Sequence, residues 1–136
     1  MAHQNSLLIV DDETNVALTL QMIFEREGYA VRTANSCAGA LKLLENGHFF
    51  DAVITDLNME KENIGLEVAR AALRLNPRPA VVLCTGYASV ENSAAALQMK
   101  VDYLATKPVD LEELKRAVRR LMAFREQSGQ GNENNE

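Results

Sequence analysis

The sequence predicts an α/β fold in which a five-stranded parallel sheet is covered by helices on both faces. Short apolar or β-branched runs alternate five times with longer segments of helical period, and such alternation produces parallel strands through right-handed crossovers. The first run, LLIV at residues 7–10, is apolar at every position, as expected for a strand buried on both faces. A length of 136 residues is typical of one domain with a single core.

Each strand is indicated by a short run rich in apolar or β-branched residues. We expect five strands, at residues 7–10, 29–34, 51–55, 80–85 and 102–106. Gly28 and Gly47 are expected to end the first and second helices, because a left-handed residue commonly follows the last helical turn. The third helix is expected to end before Pro77, which cannot continue it.

Polar residues indicate where three of the helices begin. Asn35 or Ser36 is expected to cap the second helix, and Ser89 the fourth. In the segment DLEE, Asp110 is expected to cap the last helix, with Glu113 reaching back as in a capping box. These helix starts are predicted from the capping residues, independently of the apolar periodicity.

Composition and charge argue against several classes of function. Lys plus Arg number 14 and Asp plus Glu 19, a net charge of −5 that argues against direct nucleic-acid binding by this domain. No run approaches the roughly 20 apolar residues that cross a bilayer, and the first residues lack the pattern of a secretion signal. Cys37 and Cys84 form no CxxC pair and are expected to be reduced core residues. We therefore expect a cytoplasmic protein with no membrane partner.

Chemically active side chains follow four of the predicted strands. Asp11 and Asp12 follow the first strand, Asp56 the third, Thr85 ends the fourth, and Lys107 follows the fifth. In open α/β sheets the binding crevice lies beyond the carboxyl ends of the strands. These residues are therefore expected to converge at one edge of the sheet.

Three carboxylates at one edge repel one another unless a cation joins them. A hard divalent ion with oxygen ligands fits this set, Mg²⁺ first, with Mn²⁺ as an alternative. Carboxylates, a hydroxyl, a lysine and a metal ion are the groups that guide phosphoryl transfer. One carboxylate can act as the nucleophile and form an acyl phosphate.

The chain resembles the receiver domain of two-component response regulators, the chemotaxis (CheY-like) type. The segments that carry the resemblance are LLIVDDE, VITDLNM, VVLCTGYASVE and ATKPVD. The resemblance implies a flavodoxin-like three-layer sandwich with strand order 2-1-3-4-5. It assigns residues 6–124 to the receiver, 1–5 to an N-terminal tail, and 125–136 to a disordered tail or the start of a linker. The run TGYASVE is most similar to receivers of nitrogen-regulation-type transcription activators.

The resemblance implies a role for each matching residue. Asp56 is the implied phosphoacceptor, and Thr85 is the implied switch hydroxyl. Lys107 is expected to contact the phosphoryl oxygens, through a cis bond to the structural residue Pro108. The implied metal ligands are Asp11, Asp12, Asp56 and the backbone carbonyl of Asn58.

The implied function is signalling rather than catalytic turnover. A sensor histidine kinase or a phosphotransfer protein donates the phosphoryl group, and slow autodephosphorylation follows. The face formed by the fourth helix, fifth strand and fifth helix then changes its packing and binds a partner, with a homodimer through that face as one outcome.

The sequence departs from the family pattern in the loop after the third strand. Glu60 stands where the family usually has proline, and Gly65 comes one residue late. We expect a longer and less rigid loop, and an extra acid that disfavours an approaching phosphodonor.

A second departure concerns the switch. Leu104 stands where the family usually has an aromatic residue, and strand alternation places Tyr103 on the opposite face. Tyr87, two residues after Thr85, is the alternative aromatic switch residue.

Alternatives of other classes stay open at this point. One is a degenerate receiver that acts only as a protein-interaction module, and another is a small Mg²⁺-dependent phosphatase. No output domain follows the motifs, so the chain is expected to be either a stand-alone receiver or a fragment that ends at a linker.

Overall fold

The computed structural model describes residues 4–86 and 90–134 of the chain. The strands are β1 (Ser6–Val10), β2 (Ala30–Ala34), β3 (Ala52–Asp56), β4 (Ala80–Thr85) and β5 (Tyr103–Thr106). The helices are α1 (Thr14–Arg26), α2 (Cys37–Glu45), α3 (Gly65–Leu73), α4 (Val90–Met99) and α5 (Leu111–Asn134). The order β2-β1-β3-β4-β5, with every pair parallel, confirms the predicted architecture.

The sheet is buried on both faces, because its alternate side chains pack into two separate cores. In β1, Leu7 and Ile9 point into a core shared with α1 and α5, while Leu8 and Val10 point into a core shared with α2 and α3. All positions of β3 and β4 are buried. The continuous apolar runs of the sequence therefore mark central strands.

The helix ends follow the predicted residues where the structure describes them. Ser36, not Asn35, caps α2, since its Oγ accepts a hydrogen bond from the N–H of Gly39 (3.0 Å). Asp110 Oδ1 accepts from the N–H of Glu113 (3.1 Å), but the Glu113 carboxylate accepts from the Tyr103 hydroxyl (3.3 Å) instead of reaching back. Ser89 lies outside the described residues.

Gly28 and Gly47 have φ angles of 98° and 79°, the left-handed conformation expected after a helix. The two peptide bonds Asn76–Pro77 and Lys107–Pro108 are cis. Among the described residues, no helix combines the length and the apolar character needed to cross a membrane.

Helix α5 extends beyond the predicted end of the domain at 124. It packs on the sheet through Leu114, Val118 and Met122, and it continues to Asn134. Arg125 Nη1 donates a hydrogen bond to the carbonyl of Arg78 (2.5 Å), which ties the helix to the loop before β4. Residues 125–127 are good helix formers, so nothing ends the helix where its apolar stripe stops. A linker role for 125–136 stays a prediction.

Candidate functional site

Three carboxylates meet at the carboxyl edge of the sheet. Val10 of β1 lies beside Thr55 of β3, so Asp11 and Asp56 leave adjacent strands at the same level. Asp11, Asp12 and Asp56 each offer an oxygen, and these oxygens all lie within 4.8 Å of one another. Asp11 and Asp56 are buried, whereas Asp12 is exposed. The predicted convergence of the acids is therefore observed.

Lys107 supplies the positive charge beside these acids. Its Nζ lies 2.9 Å from Asp56 Oδ2 and 3.9 Å from Asp11 Oδ2. The backbone N–H of Lys107 donates to the carbonyl of Thr85 (2.8 Å), which fixes the lysine to the end of β4. The ammonium is thus held against the carboxylate that ends β3.

The pKa values reflect this crowding. Burial raises the pKa of Asp11 above its usual value, against the lowering effects of the Glu13 N–H (2.9 Å) and of Lys107. Burial alone would lower the pKa of Lys107, but the hydrogen bond to Asp56 and the charges of Asp56 and Asp11 raise it overall. Lys107 is therefore charged at neutral pH. Its single positive charge does not balance the negative charge of the three acids.

The donor set fits a divalent cation. Three carboxylate oxygens within reach of one another are hard ligands of the kind that Mg²⁺ prefers, and one ammonium offsets only one of three negative charges. A cavity of about 470 Å³, lined in part by Asp11, Asp56 and Lys107, opens beside the carboxylates.

Thr85 and Cys84 end β4 next to this cluster. Thr85 is buried and pairs in register with Thr106, while Cys84 pairs with Asp56. Burial, with a smaller contribution from Asp56, raises the pKa of the Cys84 thiol to about 12. Cys84 is a neutral wall of the site, and its position before Thr85 was the only sequence signal for this placement.

The loop of residues 57–64, which we call the β3–α3 loop, accommodates the late glycine. A Cβ at Gly65 would lie 2.0 Å from the carbonyl oxygen of Asp56, so only glycine permits this approach. The Gly65 N–H donates to the Leu57 carbonyl (2.8 Å). Asn63 takes a left-handed conformation (φ 61°), and this residue type tolerates it better than most. The extra residue is thus absorbed before α3 begins.

The Glu60 side chain makes a long-range contact outside its own loop. Its Oε1 accepts a hydrogen bond from the N–H of Cys37 at the start of α2 (2.9 Å). Among the described residues, the acid cluster able to hold a metal contains Asp11, Asp12 and Asp56 but not Glu60. The expected extra acid is therefore engaged by a helix N-terminus, and the loop is held by hydrogen bonds. The partner residue is 23 positions away, so no local pattern could have indicated it.

The adjacent residues Tyr103 and Leu104 of β5 lie on opposite faces of the sheet. Leu104 is half-buried and packs in a small core with Leu57, Leu83 and Ala96, whereas Tyr103 belongs to the opposite core. The predicted alternation is confirmed. Tyr87 lies outside the described residues. The backbone carbonyl of Asn58, the remaining implied metal ligand, stands two residues after Asp56 in the β3–α3 loop.

Comparison with known proteins agrees with this geometry. Residues 7–119 match the family described as the response regulator receiver domain. The chain is 34% identical over 119 residues to the transcriptional regulatory protein GlrR of Escherichia coli K12, covering 87% of the chain and 26% of that protein. It is 35% identical over 128 residues to the alginate biosynthesis transcriptional regulatory protein AlgB of Pseudomonas putida KT2440, covering 93% and 28%.

Solved structures give the same result. A CheY-like response regulator receiver domain protein from Methanospirillum hungatei JF-1 superposes with a TM-score of 0.86 at 30% identity, covering 93% of this chain and 99% of that one. The chain spans about a quarter of the length of the curated relatives GlrR and AlgB. Two-component signalling through a phosphorylated aspartate is the general function of this family. The chain belongs to the response regulator receiver domain family.

Proposed function

We propose that Asp56 is the residue on which this receiver domain accepts a phosphoryl group from a sensor histidine kinase or a phosphotransfer protein. The observation that carries the proposal is the position of its carboxylate, 2.9 Å from Lys107 Nζ and within 4.8 Å of oxygens from Asp11 and Asp12. A carboxylate that attacks a phosphate needs cations to offset the negative charge of both groups. Lys107 supplies one cation, and the acid cluster fits a second, divalent one.

The transfer is a displacement at phosphorus. An Asp56 oxygen forms the new P–O bond while the P–N bond to the donor histidine breaks, and the imidazole keeps the electron pair and takes up a proton. The Lys107 ammonium then donates a hydrogen bond to a phosphoryl oxygen, and its present hydrogen bond to Asp56 weakens. Asp11, Asp12, Asp56 and the Asn58 carbonyl would hold Mg²⁺, which would supply positive charge to offset that of the phosphoryl oxygens.

The output is a change of packing rather than turnover. The Thr85 hydroxyl turns towards the new phosphoryl oxygens, and the face of α4, β5 and α5 shifts with it. Leu104 on β5 is the residue that adjusts on this face. We propose that the shifted face binds a protein partner, a second copy of this chain included, and that it acts in the cytoplasm without direct contact to nucleic acid.

Acetyl phosphate with Mg²⁺ tests the proposal by intact mass. The parent should gain one phosphoryl group per chain and then stop, and Asp56→Asn should gain none. Rapid multiple turnover of an added phosphomonoester would instead support the phosphatase alternative. An unchanged mass in the parent would support the degenerate receiver that acts only as an interaction module.

A further inference from the structure

The β3–α3 loop is anchored to helix α2 by one long-range hydrogen bond. Glu60 Oε1 lies 2.9 Å from the backbone nitrogen of Cys37, the first residue of α2. The first N–H groups of a helix have no partner within the helix, and its N-terminus attracts negative charge. Ser36 satisfies the N–H of Gly39, and Glu60 satisfies that of Cys37. The start of α2 is thus capped by the adjacent Ser36 and by Glu60 from the β3–α3 loop.

The anchored segment is short. Its Met59 and Ile64 pack against the core shared with α2, and two of its hydrogen bonds lie within the segment. Asn58 Oδ1 accepts from the N–H of Asn63 (2.7 Å), and the Met59 N–H donates to the carbonyl of Lys61 (3.2 Å). Neither hydrogen bond fixes the loop to the rest of the protein. Gly65 fixes its end against Leu57, and Glu60 fixes its middle against α2. Only Met59 separates Glu60 from Asn58.

We propose that Glu60 is a positioning residue, which holds the backbone carbonyl of Asn58 in place for the metal ion by anchoring the loop to the start of α2. The inference rests on the proposed function, because it takes the Asn58 carbonyl as a metal ligand. Outer contacts that orient a ligand commonly affect metal affinity by 10-fold or more when they are removed. Glu60 thereby fixes a loop that lacks the rigid ring of proline.

Mg²⁺ titration calorimetry on four proteins tests this role: the parent, Glu60→Ala, Glu60→Gln and Glu62→Ala. Glu62 is an exposed acid in the same loop, and its side chain makes no hydrogen bond or ion pair with the residues that the structure describes, so its variant controls for lost charge. Glu60→Ala should weaken Mg²⁺ binding by about 10-fold. Glu60→Gln keeps an oxygen that accepts from Cys37, and it should stay within about 3-fold of the parent, as should Glu62→Ala.

Amide hydrogen exchange of Cys37 without Mg²⁺ gives the second readout. Its protection should fall in Glu60→Ala and persist in Glu60→Gln. Equal Mg²⁺ affinity in the parent and Glu60→Ala would overturn the positioning role, and so would equal weakening in Glu60→Gln and Glu60→Ala, which would indicate charge alone. A parent that binds no Mg²⁺ would instead overturn the proposed function.

Discussion

Gly65 sets how closely α3 can approach the end of β3. A Cβ at this position would lie 2.0 Å from the Asp56 carbonyl oxygen and 2.7 Å from the Leu57 Cα, and both contacts are with backbone that cannot turn away. We expect Gly65→Ala to lower the free energy of unfolding by about 2–3 kcal/mol. Urea denaturation measures the change.

Gly86 provides the matched control for that substitution. A Cβ there would meet only Lys107 side-chain carbons at 3.8–3.9 Å, an ordinary contact. Gly86→Ala should therefore change stability by less than about 1 kcal/mol. If Gly65→Ala unfolded at the same urea concentration as Gly86→Ala, the close approach described for α3 would be wrong.

The two cysteines should be inert in the folded protein. Burial raises the pKa of both thiols, with nearby carboxylates adding to it, and that of Cys84 reaches about 12. Because the thiolate is the reactive form, almost all of Cys84 is unreactive at pH 8. We expect neither thiol to react promptly with Ellman's reagent in buffer and both to react in guanidinium chloride. A fast-reacting thiol in the native protein would contradict the burial of these residues.

At the residue scale, the sequence predicted the acids, Thr85 and Lys107 because each stands at a strand end. The left-handed conformation of Asn63 had a usable signal, since asparagine is enriched there. No sequence signal indicated the contact of Glu60 with Cys37, because it joins residues that are distant in sequence. The chemical roles of the site residues stay predictions.

Helix α5 is attached to the sheet by its apolar stripe, and two of its leucines, Leu111 and Leu114, differ in burial. Leu114 is 2% exposed, whereas Leu111 is 39% exposed. Leu114→Ala should cost about 3 kcal/mol of unfolding free energy, through lost burial and the cavity it leaves. Leu111→Ala should cost less than about 1 kcal/mol.

Chemical denaturation of both leucine variants measures this difference, and equal costs would mean that α5 is rotated relative to its described position. At the element scale, periodicity predicted every strand and helix, and capping residues predicted the starts of α2 and α5. The C-terminal extent of α5 was not predicted, because the apolar stripe used to predict the helix stops at Met122 whereas the helix continues to Asn134.

At the scale of the whole molecule, the acid cluster should link metal binding to stability. A ligand at about 100 times its dissociation constant adds about 2.7 kcal/mol to the folded state. We therefore expect Mg²⁺ to raise the Tm of the parent. Asp12→Asn should lose most of this gain, since it removes a metal-facing carboxylate.

Without Mg²⁺, the Asp12→Asn substitution should change stability in the opposite direction. Removing one of three neighbouring negative charges relieves repulsion, so Asp12→Asn should be slightly more stable than the parent, by less than about 1 kcal/mol for this exposed residue. Glu45→Gln, an exposed acid on α2, should respond to Mg²⁺ as the parent does. Scanning calorimetry with and without Mg²⁺ checks all three proteins, and an Asp12→Asn protein with the parent's full Mg²⁺ response would exclude Asp12 as a ligand.

The whole architecture was predictable because a buried parallel sheet leaves a strong pattern: Leu7 to Val10 are apolar without interruption, and β3 runs directly into Asp56. The strand order came from the resemblance and is confirmed. The conformation of the β3–α3 loop was not predictable, since it depends on contacts with α2 and with the Asp56 backbone that no pattern within the loop encodes.

Reductive trapping tests the identity of the phosphoacceptor most directly. Borohydride converts an aspartyl phosphate into homoserine, so peptide mapping after acetyl phosphate, Mg²⁺ and borohydride locates the acylated side chain. We expect homoserine at position 56 alone, dependent on both acetyl phosphate and Mg²⁺. Homoserine at another aspartate, or none in a protein shown to be folded, would contradict the assignment of Asp56.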